Sequence, residues 1–284
     1  MLDREICKER AENLKNVRFV IGVAAGKGGV GKSTVAVNLA RACMRQGLRV
    51  GILDADIYGP SLRQMLPEET PPAKHPSLPE RIVPAVGCGI KMISMAYFCE
   101  SHAATAVRAP FANGVIAQFL QKVDWDELDI LFIDFPPGTG DIQLTLAQES
   151  RINGMVIVTT PQEVALLDVR KAIHMCHQMA VPILGVLENM SYWQDPATGQ
   201  KLHLLGQGGG RILSAETGIP LLGEIPMEPA LSQSADRGED IFSTAPECLA
   251  AEVLMQASRK IGHHLTGLEQ MEGQYLKNFE LIWK

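Results

Sequence analysis

Residues Gly26-Lys27-Gly28-Gly29-Val30-Gly31-Lys32-Ser33 have the composition and spacing of a phosphate cradle. Glycines let a backbone fold tightly, so that consecutive N–H groups point inward at an anion. The stretch fits G-x-x-x-x-G-K-[ST], the P-loop pattern. An apolar run, residues 17–25, leads in and reads as a buried strand, and a helical pattern over 33–46 leads out. The N-terminus of that helix adds partial positive charge. Lys32 would then reach the β- and γ-phosphates of a nucleoside triphosphate, and the Ser33 hydroxyl would ligate Mg²⁺. Thr34 joins the predicted nucleotide contacts.

Such a cradle needs carboxylates, and the sequence offers three in the right kind of place. Asp54 and Asp56 follow a second apolar strand, 49–53. Carboxylates at the C-terminal end of a parallel strand lie beside a phosphate site on the first strand. Asp56 is expected to orient the attacking water, and Asp54 to support Mg²⁺ and its waters. The alternative is that one of them only caps the helix starting near Ser61. Asp134 ends the apolar strand 130–134 and would hold Mg²⁺ opposite Ser33. After it comes Phe135-Pro136-Pro137-Gly138-Thr139-Gly140-Asp141. There Gly138 and Gly140 would let the backbone approach the γ-phosphate and move when it leaves. Farther on, Asn189 could read the edges of adenine, and Pro226-Met227 could wall the base.

These side chains need a scaffold that brings strand ends together. Strands are expected at 154–160, 183–187 and 221–225, with helices at 162–179 and from about 228. Helices alternating with apolar strands argue a mainly parallel sheet covered on both faces. The expected fold class is α/β: a single P-loop NTPase domain, with a mainly parallel twisted sheet and helices on both faces. The expected layout is an N-terminal helix over 1–16, the ATPase domain over 17–266 and an amphipathic extension over 267–284. Residues 67–84 hold six prolines and read as an irregular loop. Residues 82–86 and 89–96 read as short strands, with a hairpin across Gly87.

Composition removes several function classes. The formal net charge is −6 with no long basic run, which disfavours nucleic acid as a partner. Charged residues near Met1 do not read as a secretory signal. No apolar run approaches the ~18 residues of a membrane span. Six cysteines (7, 43, 88, 99, 176 and 248) are scattered without a C-x-x-C pair, as in a reducing, cytoplasmic protein.

Lys27, after the first glycine, makes G-K-G-G-V-G-K-S, which resembles the deviant Walker A motif of the ParA/MinD/nitrogenase-iron-protein superclass. That resemblance implies that Lys27 reaches the nucleotide of the facing subunit, so that hydrolysis needs a homodimer. Several blocks together resemble the Mrp/ApbC family of P-loop ATPases, called iron–sulfur cluster carriers. They are Gly26 to Ser33, Asp54 to Pro60, D-x-P-P-G-T-G-D at 134–141, E-N-M-S at 188–191, the glycine-rich run 206–210 and L-G-E-I-P at 222–226. The resemblance implies slow ATP hydrolysis, and apo iron–sulfur proteins or assembly factors as partners.

The resemblance breaks after E-N-M-S, where the family usually carries a C-x-x-C pair that supplies thiolates to a cluster bridging two subunits. Here residues 192–200 contain no cysteine and read as a short hairpin turning at 195–199. A family-type iron–sulfur cluster is therefore not expected in this stretch. The remaining route is Cys88, Cys99 or Cys248 meeting across a dimer. A smaller departure is V-R-A-P at 107–110, against the family's W-R-G-P.

Two other readings compete. One is a MinD/ParA-like positioning switch acting through a partner or a membrane surface. Tyr275, Leu276, Phe279, Ile282 and Trp283 would form one helical face for it, although few lysines decorate that face. Docking on the protein's own domain or dimer partner is the plainer use of such a face, and a membrane partner is not expected. The other is an electron donor resembling the nitrogenase iron protein, which the missing thiol pair counts against.

Overall fold

The computed structural model describes residues 14–98 and 109–282. Strand β1 (Val17–Ala25) opens the domain, and helix α1 (Lys32–Arg45) follows the P-loop. Next come β2 (Val50–Asp54), α2 (Leu62–Met65), β3 (Ala73–Lys74), β4 (Ile82–Val83), β5 (Ala85–Gly87) and β6 (Ile90–Ile93). The middle of the chain forms α3 (Ala109–Lys122), β7 (Leu128–Asp134), α4 (Asp141–Ser150), β8 (Gly154–Thr159), α5 (Glu163–Gln178) and β9 (Ile183–Glu188). The last part forms β10 (Trp193–Gln194), β11 (Lys201–Leu202), α6 (Gly209–Thr217), β12 (Leu221–Glu224), α7 (Pro229–Arg237), α8 (Ile241–Thr244) and α9 (Leu249–Ile282).

One eight-stranded sheet runs β12-β9-β8-β1-β7-β2-β6-β5 and is parallel except for the β5 edge. Strands β1, β7, β8 and β9 are apolar along almost their whole length, as burial on both faces demands. One core packs Ile21, Val23 and Phe132 against α1, α2, α8 and α9, and the other packs Val20, Leu131 and Ile133 against α3, α4, α5 and α6. The register matters for the site. Asp134 on β7 stands beside Asp54 on β2 and beside Val23 on β1, near the end of β1 that feeds the P-loop.

Expected and observed strands differ between β3 and β6. Pro84, which has no N–H to give a ladder, separates β4 from β5. β4 pairs with β3 in a sheet of its own, and β5 pairs with β6. The hairpin turn falls on Cys88 and Gly89, both at positive φ, and not on Gly87. Strand β6 also ends at Ile93, because the Ser94 hydroxyl accepts from Ala96 N–H and starts a 3₁₀ turn. The 67–84 loop is irregular apart from the two short strands β3 and β4.

The hairpin expected over 192–200 is present as antiparallel β10 and β11. Of the expected N-terminal helix, residues 1–13, with Cys7, lie outside the described residues, and Leu14 is buried in the core. Cys99, Val107, Arg108 and Trp283 also lie outside them. Helix α9 crosses residues 266–267 without a break. Among the described residues, no helix is long and apolar enough to cross a membrane.

Candidate active site at the carboxyl ends of the strands

The P-loop joins β1 to α1 in the order the sequence predicts. Gly31 adopts φ 79° at the helix start, and a Cβ there would lie 2.3 Å from the Asn189 amide nitrogen. A Cβ on Gly26 would lie 2.3 Å from the Asp168 carbonyl carbon on α5. These two positions need glycine for different reasons: left-handed backbone at one and close approach at both. No side chain caps α1, so its first N–H groups remain available to an anion.

Beneath the loop lies a buried ion pair. Lys32 Nζ stands 2.5 Å from Asp134 Oδ1 and donates to Ser33 Oγ at 3.3 Å. Asp134 is fully buried, and burial pushes its carboxyl above the usual range, against the pull of the Lys32 charge and hydrogen bond. Its second oxygen, Oδ2, is buried without a hydrogen-bond partner among the described residues. A buried orphan acceptor is costly and fits a site that takes a further donor or a cation. The donor set here, carboxylate plus hydroxyl, is the hard-oxygen kind that Mg²⁺ prefers.

Asp54 is turned to a different use from Asp134. Its Oδ1 accepts from Asp56 N–H at 3.1 Å, and its Oδ2 accepts from the Ser94 hydroxyl at 3.0 Å and from Leu62 N–H at 3.4 Å. It therefore holds the 54–62 loop and the start of α2, the capping role kept open from the sequence. Burial, and next the charge of Asp134, push its carboxyl up to about 7. Asp56 faces the open cavity, and its Oδ1 accepts from Gly59 N–H at 3.3 Å.

The cavity itself measures about 800 Å³. It brings together Lys27, Gly28, Gly29, Gly31, Lys32, Ser33, Thr34, Asp56, Asn189, Pro226 and Met227 of the predicted residues. Gly26, Val30, Asp54, Asp134 and Gly138 do not line it. Val30 and the two carboxylates are buried behind it. Gly138, at φ 94°, donates its N–H to Ala25 O at 3.3 Å, which ties the loop after β7 to the end of β1. Gln143, which the sequence reading did not single out, holds that loop from below. Its Nε2 donates to Pro137 O at 2.8 Å and Pro136 O at 3.2 Å.

At the far end, four backbone bonds fasten residues 188–192 to their neighbours. Asn189 N–H donates to Thr159 O, Ser191 N–H to Ile225 O, Ile225 N–H to Glu188 O, and Met227 N–H to Tyr192 O. This places Asn189, Trp193, Pro226 and Met227 on one rim. The Asn189 amide nitrogen donates to Val30 O at 2.9 Å, so it braces the back of the P-loop instead of standing free for a base. Glu188 is fully buried and accepts from the Ser191 hydroxyl and Gly210 N–H, fixing the glycine-rich start of α6. Trp193, Met65 and Leu231 also line the cavity and were not anticipated, because nothing in their local sequence marks them.

The described thiols are Cys43, Cys88, Cys176 and Cys248. Burial pushes Cys43 up to about 12, and Cys176 and Cys248 up to about 11. Cys88 is exposed on the β5–β6 turn. Among the described residues, no three His, Cys, Asp or Glu side chains stand together to hold a metal. The β10–β11 turn is closed by Asp195, whose Oδ1 accepts from Ala197 N–H at 2.8 Å and Thr198 N–H at 3.4 Å. Those N–H groups and the Thr198 side chain hold its carboxyl below the usual range. This turn does not fit a thiolate-bound cluster.

Comparison with known proteins gives the family and the fold. Residues 16–262 fit the family model described as ParA, NUBPL iron-transfer P-loop NTPase. An iron-sulfur cluster carrier protein of Deinococcus radiodurans is 44% identical over 254 residues, covering 89% of this chain and 71% of that protein. A nucleotide-binding protein from Archaeoglobus fulgidus, solved in complex with ADP, superposes with TM-score 0.70 at 39% identity. The match covers 81% of this chain and 90% of the other. The cell division ATPase MinD of Pyrococcus furiosus superposes with TM-score 0.63 at 19% identity, over 87% of this chain and 99% of the other, and shows the shared fold alone. With both its P-loop half and its E-N-M-S half inside the match, the chain belongs to the NUBPL iron-transfer P-loop NTPase family.

Proposed function

We propose that the chain is a slow, dimer-dependent ATPase serving iron–sulfur proteins or their assembly factors in the cytoplasm. The observation that carries this is the Lys32–Asp134 pair, with one buried carboxylate oxygen unmatched, beneath an uncapped helix N-terminus that opens on a nucleotide-sized cavity. The α- and β-phosphates take the P-loop N–H groups, and Lys32 turns to the β- and γ-phosphates. Ser33 and Asp134 would hold Mg²⁺, which when bound neutralises phosphate charge. Asp56 orients water for in-line attack on the γ-phosphoryl group. Lys27 makes no ion pair with another described residue and serves the nucleotide of the facing subunit. The loop through Gly138 reports the loss of phosphate to the surface. Pro226 and Met227 wall the base, and Asn189 supports the P-loop at that end.

Within this reading the hairpin β10–β11 holds no cluster. The chain supplies the nucleotide-driven motion of its family, and the iron–sulfur cargo is carried by its partners. The positioning-switch alternative has the shared fold in its favour, and the family match favours the iron–sulfur reading over it. The reading is tested by titrating Mg-ATP into the purified protein and into Lys32→Ala. The parent should bind and release phosphate, and the variant should lose affinity by about a hundredfold. Equal binding by both would reject the site.

A further inference from the structure

Arg41 lies on α1, two and a half turns beyond Lys32, and its guanidinium is buried at 1% exposure. Among the described residues it bonds no carboxylate. Nη1 donates to Glu239 O at 2.7 Å, and Nη2 donates to Met65 O at 2.7 Å and Gly238 O at 3.3 Å. Met65 is the last residue of α2, and Gly238 is the C-cap of α7, at φ 68°. The guanidinium thus sits at the carboxyl ends of two helices, where carbonyls lack helical partners and the helix dipole is negative. Burial pulls its pKa below the ordinary range, and attraction to Asp240 offsets part of this. Asp240 itself is paired with Arg45, one turn farther along α1.

Both helices held by Arg41 are walls of the nucleotide cavity. α2 contributes Gln64 and Met65, and α7 contributes Leu231, Ser232, Ala235 and Asp236. A second link joins them: Gln64 Nε2 donates to Asp236 O at 2.6 Å. A buried cation in a helix interior is costly, so its position needs a use that an apolar residue could not serve. A planar fork can bond several fixed carbonyls at once, whereas a lysine ammonium acts as a point charge.

We infer that Arg41 is a positioning residue that fixes the spacing of the α2 and α7 walls to the P-loop helix, and so sets selectivity for the base. The inference rests on the nucleotide reading of the cavity and adds a specificity element to it. The experiment measures the binding of ATP, GTP and inorganic tripolyphosphate to the full chain and to Arg41→Lys, Gln64→Ala and Arg45→Ala. Arg41→Lys should weaken ATP by about tenfold, narrow the ratio of ATP to GTP affinity, and leave tripolyphosphate within about twofold. Gln64→Ala should narrow the same ratio more mildly, which decides the matter if Arg41→Lys does not fold. Arg45→Ala should match the parent. Loss of ATP and tripolyphosphate together in Arg41→Lys, an unchanged ATP to GTP ratio in Arg41→Lys, or, where Arg41→Lys does not fold, an unchanged ratio in Gln64→Ala, would overturn the inference. A parent that binds none of the three ligands would instead reject the nucleotide site itself.

Discussion

Lys32 and Asp134 neutralise one another in the interior, so the phosphate site is held ready by a pair that a ligand must rearrange. Asp54, one strand away, shows the electrostatic strain of this arrangement. Its carboxyl is pushed up to about 7, first by burial and then by Asp134. In an unfolded chain the same group titrates near about 3.9. The folded state therefore binds this proton more tightly. The stabilisation it gives is complete below about pH 4 and is lost as pH rises through about 7. The thermal midpoint of the nucleotide-free protein should fall between about pH 5 and about pH 8, and less steeply in Asp54→Asn. Equal slopes would contradict the assignment. At this scale the sequence was informative wherever function depends on local spacing. Gly26 to Ser33, Asp56 and Asp134 could be placed because a strand end, a loop and a helix start follow one another in the chain. Arg41 and Gln143 could not, because their partners are backbone carbonyls, which leave no sequence signal, and those of Arg41 lie up to 198 residues away.

Among the elements, the loop between β7 and α4 has the clearest mechanical role. It is tied to β1 through Gly138 N–H and to α4 through the buried Gln143 amide. Gln143→Ala removes the lower tie and leaves two proline carbonyls unmatched. The expected result is ATP affinity within about twofold of the parent and phosphate release slowed by about tenfold, since misplacement affects the reacting geometry more than binding. A fall in affinity with unchanged turnover would assign Gln143 to binding instead. The strand and helix order was legible from apolar runs and glycine breaks, because a parallel sheet buries its strands on both faces. The β3–β6 region was less so. Strands of two to four residues carry too little pattern to mark their ends, and Pro84 and Ser94 decided those ends by local hydrogen bonding.

Across the whole molecule, the open face of the cavity carries Lys27, free of ion pairs with described residues, beside glycines whose Cβ positions meet nothing within 4 Å. Function is therefore expected to require two copies related by a two-fold axis, each supplying Lys27 to the other's nucleotide. The fold and the family were legible from the sequence because the motifs lie along most of the chain. The pairing of subunits was legible only at Lys27, through the likeness of the G-K-G-G-V-G-K-S motif.

The most direct test mixes two variants that are each expected to be inactive, Lys27→Ala and Asp56→Ala. In a mixed dimer, the Lys27→Ala subunit keeps its own Asp56 and receives Lys27 from its partner, which completes one of the two sites. At equal amounts, with free exchange of subunits, ATP hydrolysis should recover to about a quarter of the parent rate, since half the dimers are mixed and each has one complete site. Recovery would establish that Lys27 acts across the interface. Inactivity of both variants alone and of every mixture, with exchange confirmed, would contradict it and return Lys27 to the site of its own subunit.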